Sequence, residues 1–292
     1  MEAMKHVFVC GYSRSGTTLL TTILDSHPRI SMGYELMQAI PPLPDSIKAL
    51  RRARRRDEKH PTLILRDDES TYDLGTYLIH ANWALVGLNE LIRIFKRLNE
   101  EQEITEVRTM RDQARVALAV VERKRKKEGA DLSGYKVLTS RFGVFDRNFP
   151  GSAFVLIVRD PRDVVASQLA RKFDRSVEQI ATHYRDYVER FRRFALLHRR
   201  RTAVVRYEDL VNDPEPEFRK IFGMLGIEYG DEVRRHWDSK ASIHRTRHNN
   251  AAMVGKDLFK TSIGRWREDL EQAQRDEIEK ICRRQMKHFS YD

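Results

Sequence analysis

A chain of 292 residues with 40% hydrophobic content is long enough for one large α/β domain or two small ones, and 54 Lys and Arg against 43 Asp and Glu leave it at +11, an excess that steers anionic partners without naming them. No run approaches the roughly 20 apolar residues that span a bilayer, and only a short apolar run follows residues 1–5, so neither a signal peptide nor a membrane anchor is evident and a cytoplasmic protein is expected. Two cysteines, Cys10 and Cys282, supply neither a disulfide framework nor a zinc ligand set.

The first predicted strand covers residues 5–10. It runs into Gly11-Tyr12-Ser13-Arg14-Ser15-Gly16-Thr17-Thr18, where a helix begins near Gly16, carries Leu19, Leu20, Ile23 and Leu24, and stops before Pro28. A strand that ends in glycines and turns into a helix offers successive backbone N–H groups and a helix N-terminus to an anion. The G-x-x-x-x-G spacing of nucleoside triphosphatases is kept, but Thr17 stands where their lysine would be, and Arg14 brings a cation from inside the loop.

A second strand is expected over 29–32. Between 41 and 130 the pattern turns helical and charged, with Leu85, Leu88, Ile92 and Phe95 and then Val116, Leu118 and Val121 at helical spacing, which predicts a helical region inserted beside the anion site. Strands follow at 135–139 and 153–158. The latter leads into Arg159-Asp160-Pro161-Arg162-Asp163, where Asp160 suits an N-cap, Pro161 the first helical position and Asp163 the first turn. Local chemistry leaves Arg159 unexplained. A long helix over about 177–198 presents Ile180, Tyr184, Val188, Phe191 and Ala195 as a core-facing stripe, with His183 beside it as a packing or surface residue. The last strand, 202–205, precedes Arg206-Tyr207-Glu208-Asp209-Leu210, and near the C-terminus Gly255 and Gly264 bracket a segment of little periodicity that reads as a mobile lid. Short apolar runs alternating with helices predict an α/β fold, a parallel sheet flanked by helices, in one domain over 1–292. The basic clusters at 51–56, 123–127 and 199–201 read either as solvated helix faces or as a positive funnel toward an anionic nucleotide or acidic acceptor. None carries the interleaved aromatics of a nucleic-acid site.

The stretch Ser13-Arg14-Ser15-Gly16-Thr17-Thr18-Leu19-Leu20 resembles the first signature of the PAPS-dependent sulfotransferases, P-[KR]-S-G-T-[TS]-x-L, with Ser13 in place of proline. Its arginine is similar to the branch holding tyrosylprotein, carbohydrate and many bacterial sulfotransferases. The resemblance implies a P-loop-type fold with 3′-phosphoadenosine-5′-phosphosulfate (PAPS) as donor, Ser13 to Thr18 around its 5′-phosphosulfate, and no metal. The run from Arg159 to Ser167 resembles the unit that binds the 3′-phosphate, which implies that role for Arg159 and Ser167. Tyr207 to Leu210 resembles the family's Y-E-D-L, implying Tyr207 near the adenine, with Glu208 and Asp209 as caps of the next helix. Lys260-Thr261-Ser262-Ile263-Gly264-Arg265-Trp266-Arg267 resembles the loop that closes over the donor, implying contacts from Lys260, Ser262, Gly264, Arg265 and Trp266. About a third of the chain is covered.

Sulfuryl transfer needs a nucleophile in line with the breaking S–O bond, positive charge on the departing oxygen and a base. Arg14, Thr17 and Thr18 are suited to the leaving bisphosphate. Related tyrosylprotein and carbohydrate enzymes use a Glu just past the second strand. Gly33-Tyr34-Glu35 stands at that place, 21 positions after Arg14, which makes Glu35 the expected base, although a Glu there could equally begin a helix. The catalytic cation falls to Lys136, with Arg141 as the other candidate, and His27 is expected to be structural. The acceptor is expected to be a hydroxyl on a glycan or natural-product alcohol, and nucleic acid is not an expected partner. Two other readings share parts of the pattern: a P-loop small-molecule kinase, which would require ATP and magnesium, and a basic nucleotide- or nucleic-acid-binding protein without catalysis.

Overall fold

Strands that are apolar along their whole length can be buried on both faces, and that condition builds the centre of this protein. The computed structural model describes residues 4–34, 62–64, 71–73, 93–94, 96–98, 100–101, 107–171, 175–241 and 262–291. Within these, β1 (His6–Cys10), β2 (Ile30–Gly33), β5 (Leu132–Val137), β6 (Ala153–Val158) and β7 (Thr202–Arg206) form one sheet in the order β2-β5-β1-β6-β7. All four pairings are parallel. A separate antiparallel pair joins β3 (Thr62–Ile64) to β4 (Thr71–Asp73).

One face of the sheet is covered by α1 (Thr17–Ser26), α6 (Tyr207–Asn212) and α7 (Pro214–Leu225), packed on Val7, Val9, Val155, Ile157 and Val205. The other is covered by α2 (Met110–Glu128), α3 (Phe142–Asn148), α4 (Pro161–Leu169), α5 (Val177–Leu197) and α10 (Gln272–Phe289), packed on Phe8, Cys10, Tyr135, Phe154 and Leu156. The helix α8 (Asp231–Arg234) and the turn α9 (Trp266–Asp269) complete the described elements, with short 3-10 turns at Arg199–Arg201 and His236–Asp238. Of the stripe expected on α5, Ile180, Tyr184, Val188 and Phe191 are buried and Ala195 is partly buried, while His183 is exposed. Both thiols are buried, which pushes Cys10 up and Cys282 to about 12 and leaves neither a nucleophile at neutral pH.

Three expectations change. The strand expected at 135–139 starts at Leu132 and ends at Val137, because Gly134 is an interior strand position: a Cβ there would overlap the Val7 carbonyl of β1. The region 41–130 is not wholly a helical insertion. It contains the β3–β4 hairpin, and α2 is part of the core layer, with Val116, Leu118 and Val121 buried. Leu85, Leu88, Ile92 and Phe95 lie outside the described residues.

Glu208 is also not a helix cap. Its carboxylate accepts the Asp160 N–H at 2.9 Å and the Tyr291 hydroxyl at 3.0 Å, tying the β6–α4 junction to the chain's last described residue. Asp209 pairs with Arg206 at 3.0 Å.

Candidate active site

The loop between β1 and α1 lies at the C-terminal edge of the sheet, where ligands of open α/β folds sit. Gly16 is in the left-handed region at φ 96°, and a Cβ on it would come within 2.5 Å of the Tyr207 ring, so both backbone and neighbour require glycine. The helix it opens has neither a side-chain cap nor an acidic residue in its first turn. By contrast α2 and α5 each begin with a capping box. The positive end of α1 is thus left for an anion from outside. Ser15 is fully buried within the loop, and its Oγ has no hydrogen-bond partner among the described residues.

Arg14 is also left-handed, at φ 73°, which is costly for a side-chain-bearing residue and persists only where surroundings enforce it. Those surroundings come from β6 and α4. The Arg14 guanidinium Nε donates to Ser167 Oγ at 3.0 Å, its carbonyl accepts from Arg159 at 3.2 Å, and the carbonyl of Ser13 accepts from Gln168 at 3.2 Å. Two segments 150 residues apart in sequence therefore meet as one cationic pocket wall.

Arg159 is buried, with its guanidinium 4.8 Å from the centroid of the Tyr207 ring and 3.7 Å from Asp163, and it donates to the Ser262 carbonyl. Its Nε has no hydrogen-bond partner among the described residues. A buried cationic donor and the buried Ser15 hydroxyl, both without partners on the same wall, fit the phosphates of an anionic nucleotide.

Lys136, on β5, sends its Nζ to within 3.0 Å of Thr18 Oγ1. An amine from the neighbouring strand thus lies beside the first turn of α1. Arg141 is exposed at the start of α3. Tyr207 lies between Gly16 and Arg159, a wall shared by the loop and the second anion position.

The C-terminal segment docks here as well. The Asp163 carboxylate accepts N–H groups from Gly264 at 2.9 Å and Trp266 at 3.1 Å. Burial raises its pKa, opposed by Arg159 and those two N–H groups. The Trp266 ring has the guanidinium carbons of Arg162, Arg267 and Arg275 at 4.0, 4.5 and 5.5 Å from its centroid, a cation–π cluster that fixes the turn. Arg265 points elsewhere, to Asp269 at 2.5 Å.

The structure therefore brings together Ser13, Arg14, Ser15, Gly16, Thr17, Thr18, Lys136, Arg159, Ser167, Tyr207 and Ser262, with Gly264 and Trp266 anchored beside them. Glu35 and Lys260 lie outside the described residues. Tyr34, just before Glu35, is buried with its hydroxyl 3.2 Å from Thr22 Oγ1. His27 is structural, its Nε2 2.8 Å from the Glu228 carbonyl.

Sequence reasoning missed the loop-holding role of Gln168 and two tyrosines beneath the site. Tyr187 accepts the Gly11 N–H at 2.9 Å, and Tyr184 donates to the Arg159 carbonyl at 2.7 Å. Tyr184 was marked as core by its place in the α5 stripe and Tyr187 was not singled out, and nothing local pointed either hydroxyl at the loops. Among the described residues, no group of three His, Cys, Asp or Glu is placed to hold a metal, and no helix is long and apolar enough to cross a membrane.

A sulfotransferase family model matches residues 6–231. Protein-tyrosine sulfotransferase 2 of Gallus gallus is 27% identical over 243 residues, 80% of this chain and 54% of its own. The protein-tyrosine sulfotransferase of Drosophila melanogaster is 26% identical over 242 residues, 80% and 40% of the two chains. The chain thus spans about half the length of the curated relatives it matches. Among solved structures, the sulfotransferase domain of the Synechococcus olefin synthase superposes with a TM-score of 0.65 at 17% identity, over 100% of this chain and 97% of that one. The sulfotransferase domain from the curacin biosynthetic pathway gives 0.60 at 15%, over 100% and 99%. At these identities the likeness is one of fold.

Proposed function

The chain belongs to the sulfotransferase family, and from that premise we propose that it moves a sulfuryl group from PAPS to an acceptor hydroxyl. The observation that carries the reading is the 3.0 Å approach of Arg14 to Ser167, which joins the β1–α1 loop and the β6–α4 unit into one site with two anion positions. A donor with phosphates at both ends of an adenosine needs such a pair. An ATP-dependent kinase needs only the first.

In this reading the α1 N-terminus, Ser15, Thr17 and Arg14 hold the 5′-phosphosulfate, while Arg159 and Ser167 take the 3′-phosphate and Tyr207 packs near the base. The acceptor oxygen forms a bond to sulfur as the bridging S–O bond breaks, and the electron pair leaves with adenosine 3′,5′-bisphosphate. Arg14 and Lys136 offset the charge that grows on that oxygen, and the acceptor's proton passes to Glu35. Ser262, Gly264 and Trp266 cover the site, and Lys260 is proposed to contact the donor as well. No step requires a metal.

For the acceptor, the curated relatives make a peptide tyrosine the first to test, with glycans and natural-product alcohols beside it. Calorimetry tests the donor. Tight binding of adenosine 3′,5′-bisphosphate without metal is expected, and preference for ATP with magnesium would instead support a kinase. Transfer from labelled PAPS to tyrosine peptides, glycans and small alcohols then assigns the acceptor.

A further inference from the structure

Two of the basic clusters conspicuous in the sequence do not face the anion site. Because the sheet is parallel, every strand begins at the edge opposite the β1–α1 loop. The cluster Arg199–Arg201 directly precedes β7, and that at 123–127 ends α2 just before β5. They are therefore not a funnel toward the nucleotide. Cluster 51–56 lies outside the described residues.

The helix α5 connects the two edges. Near Tyr184 and Tyr187 it touches the loops of the site, whereas Phe194 packs on Phe154 at the start of β6 with ring centroids 4.8 Å apart, and His198 and Arg201 engage Asp146 of α3 at 3.4 and 2.6 Å. At that far end Leu196 and Leu197 are 62% and 82% exposed, the exposed large hydrophobic residues among those described. Arg199 and Arg200, both exposed, follow them after His198. The Asp146 carboxylate there is engaged by Arg201, and the residues exposed next to the leucines are Arg199 and Arg200.

We propose that this end of the protein, where the exposed Leu196 and Leu197 stand beside the exposed Arg199 and Arg200, is a docking surface for an anionic lipid bilayer. Charge complementarity draws the two arginines to acidic headgroups, each contributing about a fivefold factor in partitioning. The leucines choose the occupant. A soluble polyanion gives two protruding apolar side chains nothing to contact, whereas the interfacial zone of a bilayer accepts them. Binding by this end leaves the anion site on the opposite edge, facing the aqueous phase.

The test is co-sedimentation of the full chain with vesicles of phosphatidylcholine alone and of phosphatidylcholine with phosphatidylglycerol in equal parts. Binding is expected to the mixed vesicles, to weaken as salt is raised, and to be near background on the neutral ones. The double variant Arg199→Glu/Arg200→Glu should lower partitioning about 25-fold or more, and Leu196→Ser/Leu197→Ser about tenfold or more. Both should keep the wild-type affinity for adenosine 3′,5′-bisphosphate, which shows that they are folded. Equal binding to both vesicle types, no binding to either, wild-type binding by the leucine variant, or retention on heparin without vesicle binding would each overturn the proposal.

Discussion

Replacing Arg159 by alanine is the perturbation that most directly separates the two anion positions. The guanidinium is buried, and it donates to the carbonyls of Arg14 and Ser262 while its Nε has no hydrogen-bond partner among the described residues. A 3′-phosphate entering beside it gains one or two charge-assisted hydrogen bonds. At about 1.5–3 kcal/mol for such a bond, and allowing for incomplete geometry, their loss comes to about 2–4 kcal/mol. That corresponds to a roughly 30- to 1,000-fold weaker Kd for adenosine 3′,5′-bisphosphate. Adenosine 5′-phosphate, which lacks the group in question, should lose little. The assay is calorimetry with both nucleotides on wild type, Arg159→Ala and Arg159→Lys, the last retaining a point charge without the fork and falling between the other two. The alanine variant also loses its bonds to two carbonyls, at about 1 kcal/mol each, so titrations belong well below its melting temperature. Equal losses for the two nucleotides would refute the reasoning, since they would make Arg159 a brace for the loop and no more.

Other outcomes follow from the same geometry. Arg14→Ala should cut transfer from PAPS far more than it weakens donor binding, because its charge is needed most as the bridging oxygen departs; single-turnover rates set beside calorimetry check this, and equal losses would make it only an anchor. Glu35→Gln should lower turnover by about 10²–10⁴-fold with nucleotide affinity and melting temperature near wild type, whereas an active but destabilised variant would move the base elsewhere. Gly16→Ala places a Cβ 2.5 Å from Tyr207 at φ 96°, and the sum of about 1–2 kcal/mol for the left-handed backbone and about 1–3 for overpacking should appear in chemical denaturation as a loss of roughly 2–5 kcal/mol. Burial raises the carboxyl pKa values of Asp163 and Glu208, so between the ordinary and raised values the folded protein holds protons that the unfolded chain releases, and stability falls as pH rises through that window. Asp163→Asn should remove its share of this slope in denaturation midpoints measured against pH, and an unchanged slope would count against the assignment.

What could be read from the sequence was whatever local chemistry determines. The loop was legible because Gly11 and Gly16 flank a cation between an apolar run and a helical one. The α4 start was legible because Asp160, Pro161 and Asp163 each suit the position they occupy. Lys136 was harder, since strand periodicity gives the side of the sheet but not the neighbour, and only the register of β5 against β1 brings it to Thr18. Glu208 was misread for a related reason. Its position after a strand suits a cap, while its partners, Asp160 and Tyr291, are distant in sequence. Gly134 concealed three residues of β5 because a glycine next to a serine resembles a turn until the close approach of Val7 is known. The direction of the basic clusters followed from topology, which composition does not contain.

The central place of β1 has a bearing on how the molecule assembles. This strand precedes both of its neighbours by long stretches of chain: His6 lies against Ser133, 127 positions further along, and Val7 against Ala153. Closing such separations costs chain entropy before any pairing rewards it, which slows folding. The phosphate loop cannot be held in its strained conformation until α4 and α5 arrive, because the groups that hold it are Arg159, Gln168 and Tyr187. During synthesis this apolar strand therefore waits unpaired until β5, more than 120 residues later, has emerged. Nascent chains cut short before residue 132 should expose that strand and be retained by chaperones, and nucleotide should protect only those long enough to contain α5.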